Sequence, residues 1–112
     1  METLEWTQFT KVDMRVGTII KVEPFPEAHK PAFKLTIDFG SEIGLKKSSA
    51  QITHRYTDKD LLHRQIIAVI NLPPKQIANF MSECLVLGAV NSQNEVVLLQ
   101  PECPVANGLK IA

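Results

Sequence analysis

Asp13 to Val22 alternates over ten residues and has a glycine at its centre. Met14, Val16, Thr18, Ile20 and Val22 fall on one face, and Arg15, Gly17, Ile19 and Lys21 on the other. This is the period-two pattern of a long, half-buried strand. A missing side chain at Gly17 predicts a bulge or sharp coil, the device by which one strand bends around a small barrel and serves two sheets. A chain of 112 residues has room for one domain with a modest core, so a strand of this kind has to organise all of it. The 45% hydrophobic content and the absence of any low-complexity tract agree with a folded globule.

The remaining segments read as short strands with two brief helices. Thr7 is positioned to cap a helix through Val12, with Trp6 and Phe9 as apolar anchors. A loop bracketed by Pro24, Pro26 and Pro31 carries Glu27, His29 and Lys30. Phe33, Leu35, Ile37 and Phe39 then face in, while Lys34, Thr36 and Asp38 face out. A third strand is expected from Glu42 to about Ser49, with Ile43 and Leu45 inward and Gly44, Lys46 and Ser48 on the opposite face. Thr57-Asp58-Lys59-Asp60 is a short-acid capping box leading into Leu61-Leu62. Ile66 to Asn71 is apolar on both faces and so central; Ser82 to Leu87 and Val96 to Leu99 follow, and Leu109 to Ile111 can add a last short strand. Cys84, inside an apolar strand, reads as a buried small hydrophobe. The expected fold class is all-β: a five-stranded OB-fold Greek-key barrel with a short N-terminal helix, a short helix between strands 3 and 4, and N- and C-terminal extensions. Five short strands do not fix a topology, and an SH3-like barrel or a split sandwich is compatible with the same order. Residues 1–112 form a single domain with its core at about 9–111.

Asn71 to Leu87 is the unusual connection. Pro73 and Pro74 remove two backbone donors and argue against an ordinary two-residue hairpin, yet the segment carries Lys75, Gln76, Phe80 and the Ser82-Glu83 pair between two apolar strands. Loops fixed at both ends by core strands are where binding surfaces are built. Formal charge is zero, from 12 Lys plus Arg against 12 Asp plus Glu, but the charges are unevenly placed. Ile43 to Thr57 holds Lys46, Lys47 and Arg55 and no acid, and Leu61 to Ser82 holds Arg64 and Lys75 and no acid. A neutral chain can thus present one basic face able to neutralise phosphates, although a solvated surface has the same composition. Phe80 suits a stacking platform or a plug over one barrel end. Glu83 suits an ion pair with Lys75 or a charge at the rim.

Several motifs stand together in order: Asp13-Met14-Arg15-Val16-Gly17, Lys47-Ser48-Ser49-Ala50-Gln51-Ile52-Thr53, and Asn71-Leu72-Pro73 leading to Ser82-Glu83-Cys84-Leu85-Val86-Leu87. With these, the sequence resembles the tRNA-binding-domain family of OB-folds from about Phe9 to Ile111. Within that family it is most like the small stand-alone CsaA-type, export-related chaperones. The resemblance implies a homodimer held by the terminal additions, structure-selective tRNA binding, and a protein-secretion role in binding unfolded or presecretory proteins. It also implies RNA contact at Ser82 and at Leu85, three positions later.

These readings together nominate Lys34, Lys46, Lys47, Ser48, Ser49, Gln51, Arg55, Lys75, Asn79, Ser82 and Leu85 as RNA-binding residues. Aromatic content of 6% favours recognition of tRNA shape and backbone over readout of single strands. The rival is a chaperone whose apolar pocket is lined by Phe33, Ile77, Phe80 and Leu85, with tRNA binding secondary. His29, His54 and His63 belong to no nucleophile or acid-base constellation, so the chain is not expected to be an enzyme. Cys84 and Cys103 have no companion ligands, so no metal and no cofactor is expected. Neither a signal-peptide run in Met1 to Val12 nor a membrane span is evident, so the expected location is cytoplasmic, without membrane insertion.

Overall fold

The computed structural model describes all residues from Met1 to Ala112. The first strand, β1 (Met14–Pro24), pairs antiparallel with two neighbours in turn. Its first half, Met14 to Thr18, runs against β4 (Gln65–Val69), and its second half, Thr18 to Pro24, runs against β2 (Phe33–Asp38). With β3 (Leu45–Ala50) beside β2 and β7 (Leu85–Val86) beside β4, the sheet order is β3-β2-β1-β4-β7. Two hairpins complete the strands, β5 (Lys75–Ile77) with β6 (Phe80–Ser82) and β8 (Gly88–Val90) with β9 (Val96–Leu98). This is an OB-fold barrel, and the open-topology alternatives fall away because β1 serves both halves.

The coil in β1 is not where the glycine stands. The register shift lies between Ile19 and Lys21, so Ile20 is the bulged residue and is exposed. One extra residue reverses the parity of everything after it. Gly17 and Ile19 face the core before the bulge and Val22 rejoins it afterwards, in place of the uniform Met14-to-Val22 face expected from alternation. Gly17 is required for contact: a β-carbon there would lie 2.6 Å from Ile37 Cγ2 and 2.7 Å from Phe39 Cε1. Val16, on the outer side, is covered by the C-terminal extension. The extension zips along β1 through Gly108 N–H to Val16 O (2.7 Å), Val16 N–H to Leu109 O (3.0 Å) and Ile111 N–H to Met14 O (2.9 Å).

β2 follows its pattern, with Leu35 and Ile37 fully buried. β3 departs from it. Gly44 has φ +86° and belongs to the preceding turn, so the strand starts at Leu45 and its parity is opposite to the sequence reading. Leu45 is exposed, whereas Ser48 and Ala50 are buried; Ile43 packs on the core from the turn. The helix α2 (Asp58–Leu61) has the expected cap, with Thr57 and Asp60 bonding each other's backbone N–H, and drives Leu61 into the core. The N-terminal helix α1 (Trp6–Phe9) is capped by Glu5 with Gln8, not by Thr7, and Trp6 points to solvent at 83% exposure instead of anchoring it.

Cys84 is buried in the core cluster, as its setting predicts, and burial pushes its thiol up to about 11. Cys103 is free and exposed. Because the thiolate is the reactive form, alkylation of the native protein at pH 8 should modify Cys103 and spare Cys84, with both modified in denaturant. Rapid modification of two thiols in the native state would show that the barrel around Cys84 opens readily.

Candidate nucleic-acid interface

The barrel is closed by side chains acting as strand edges. β3 needs a partner on its free side and finds it in Ser82-Glu83-Cys84. Glu83 N–H donates to Lys47 O (2.7 Å), Lys47 N–H donates back to Glu83 Oε1 (2.9 Å), and Ser49 N–H donates to Ser82 Oγ (3.1 Å). Ser48 Oγ donates to Cys84 O (3.1 Å) from inside the barrel. The Ser-Glu pair therefore supplies the acceptors that a sixth strand would offer. Glu83 forms no ion pair with Lys75, which corrects that part of the sequence reading. Ser48 is 1% exposed, with its hydroxyl committed inward, and is withdrawn as an RNA contact.

Closure fixes the long connection as a wall. Within it β5 and β6 do form a two-residue hairpin, because the prolines lie ahead of the paired residues and cost no ladder bond. The turn is Ala78-Asn79, and the positive φ (+51°) falls on Ala78 and not on Asn79. Phe80 packs edge-on against buried Phe25 at 5.4 Å between ring centres, and Lys34 Nζ lies 5.4 Å from the Phe25 ring and 6.0 Å from Phe80. This cation–aromatic cluster pins the hairpin to β2. It supports the plug reading of Phe80 over the stacking one.

Between the hairpin, the end of β3 and the loop before β2 lies a groove of about 310 Å³. The sequence-nominated Ser49, Gln51, Lys75 and Ile77 meet there. The loop adds Ala28, His29, Lys30 and Ala32, and β5 adds Gln76, none of which had been nominated. No carboxylate lines it. The signal for the loop was its bracketing by three prolines just before β2, which fixes where His29 and Lys30 are presented. Residues opposite each other on β2 and β3 share a face, so Lys34 and Thr36 stand with Ser49 and Lys47 on the outside. Lys46 falls on the other face with Ser48, half-buried. Arg55 and Asn79 are exposed outside the groove lining, in the turn ahead of α2 and at the hairpin tip. Leu85 is exposed on β7 opposite Val69, away from the groove lining. Of the four apolar candidates only Ile77 lines the groove; Phe33 packs on the core cluster.

Comparison with known proteins agrees with this architecture. Residues 14–110 match the family of tRNA binding domains. A chaperone CsaA from Bacillus anthracis has a TM-score of 0.94 at 50% identity, covering 99% of this chain and 100% of that one. A CsaA chaperone from Picrophilus torridus has a TM-score of 0.92 at 53% identity, covering 98% and 100%. The methionine–tRNA ligase of Pyrococcus horikoshii is 35% identical over 116 residues, 99% of this chain but only 15% of the ligase. The chain thus spans about 15% of the length of that enzyme, and the likeness lies in one domain-sized segment. No helix is long and apolar enough to cross a membrane. A match over nearly the whole chain, on an OB barrel of the same shape, means that this chain belongs to the tRNA-binding-domain family and is similar throughout its length to CsaA chaperones.

Proposed function

We propose that the chain captures tRNA by shape and backbone at the groove bounded by the β5–β6 hairpin and the end of β3, as a non-catalytic cytoplasmic protein. The observation that carries this reading is the groove's lining: Lys30 and Lys75 on facing walls, with Ser49 and Gln51 between them and no carboxylate. Lys47 and Lys34 extend the positive charge along the outer face of β2 and β3. Arg55 and Asn79 lie further out, where they can reach flanking phosphates. Lysine neutralisation of phosphates releases counterions, so this arrangement favours an extended polyanion. A homodimer would present two such grooves to one L-shaped ligand and gain avidity. Exposed Leu4 and Trp6 near one terminus and Leu109 near the other are apolar surface suited to such pairing.

A companion role in holding unfolded presecretory chains during secretion is supported by the likeness to proteins described as CsaA chaperones. The polar groove and the dispersal of the apolar candidates make it the secondary reading. A salt series separates the two. The logarithm of tRNA affinity should fall linearly with that of salt concentration, while a bound unfolded presecretory peptide should persist at high salt. A flat tRNA response would remove the phosphate mechanism, and peptide binding that tRNA cannot displace would place the two ligands on separate surfaces.

A further inference from the structure

We propose that the groove receives one unpaired nucleotide of the RNA, so that single-stranded segments are engaged there and duplex only along the rim. This rests on the tRNA reading and names what the groove itself takes. Its floor is apolar, built from Ala28, Ala32 and Ile77, which suits the face of a base and offers nothing to a phosphate. Above that floor stand polar groups the fold leaves unspent. The Gln51 amide makes no hydrogen bond within the chain, and the Ser49 hydroxyl makes none either, since only its backbone N–H is used by Ser82. Gln76 gives its amide N–H to Ala78 O (3.2 Å), which leaves its Oε1 as an acceptor. A free amide and a fixed acceptor can satisfy donors and acceptors on a base edge. Lys30 and Lys75 lie on either side, placed for the phosphates that flank one nucleotide. A volume of about 310 Å³ is at the small end of ligand sites, and a helical strand with its bases paired inward cannot enter it.

The test uses the full chain with tRNA, a single-stranded adenosine hexanucleotide and a blunt RNA duplex of the same strand length. The hexanucleotide should shift the amide resonances of Ser49, Gln51 and Gln76 and compete with tRNA, and the duplex should leave those three resonances in place. Gln51→Ala and the groove-filling Ala28→Leu should each weaken hexanucleotide binding about tenfold while leaving the salt slope unchanged. Unaltered hexanucleotide affinity in both variants, or shifts confined to other surfaces, would overturn the nucleotide site while salt-dependent tRNA binding stands. Absence of tRNA binding altogether would overturn the underlying reading, and this inference with it.

Discussion

Gly17→Ala should destabilise the barrel by ~3 kcal/mol, the upper part of the range for overpacking a well-filled core. The added methyl would meet Ile37 Cγ2 at 2.6 Å and Phe39 Cε1 and Cδ1 at 2.7 and 2.8 Å. Neither neighbour has room to retreat, since Ile37 and Phe39 are buried at 0% and 1% exposure. Alanine stiffens the unfolded chain relative to glycine, but that returns only about 0.4–1 kcal/mol. For a domain of this size the net loss corresponds to a fall in Tm of at least about 10 °C. Gly44→Ala is the control, because a β-carbon there meets nothing within 4 Å and the cost is confined to a φ of +86°. Phe39→Leu removes the ring atom Cε1, so the double variant should lose less than the sum of its two parts. Chemical denaturation measures all three, and an unchanged midpoint for Gly17→Ala would mean that β1 can shift on β2 without penalty.

That same glycine shows what one sequence can and cannot disclose. A residue without a side chain at the centre of a long strand correctly marked β1 as the element bent between two neighbours. Glycine is permissive for several reasons, however, and here the reason is contact with Ile37 and Phe39 while the bulge sits three residues later at Ile20. Alternation is legible only up to a bulge, which is why β2, with none, was read correctly and the far half of β1 was not. β3 failed differently. Its parity depends on whether Gly44 ends a turn or lies in the strand, and its low apolar content left little to arbitrate. Ser48 therefore passed for a surface hydroxyl although it is buried under Cys84 O. The Ser82-Glu83 pair was legible as special, but its work is backbone closure, which no residue type announces. The groove itself was half visible. Lys75, Ser49 and Gln51 are in it, while Lys30 and His29 arrive from a loop whose place depends on the fold of β1 and β2.

Removing Lys30, Lys47 and Lys75 together, each to Gln, should weaken tRNA binding by roughly a hundredfold at 0.1 M salt and reduce the log–log salt slope by about 2, from ~0.7 per phosphate contact on unpaired strands. These three are chosen because their side chains are exposed and enter no hydrogen bond or ion pair; the ion pairs present are Arg15 with Asp13 and Lys21 with Glu23. Stability should therefore stay within about 0.5 kcal/mol of the parent, as for surface substitutions generally. Lys47 serves in closing the barrel only through its backbone, so its side chain can be changed without touching the Glu83 contacts. Lys34 is left in place, since its ammonium lies over Phe25 and Phe80 and its loss would loosen the hairpin as well as the charge. Because phosphate contacts carry no sequence information, the loss should be the same for unrelated tRNAs. A slope that does not change would place the polyanion on another face of the barrel, with Arg55 and the half-buried Lys46 as the cations next to be removed. A slope that falls for one tRNA and not for another would instead mean that these lysines read bases rather than backbone.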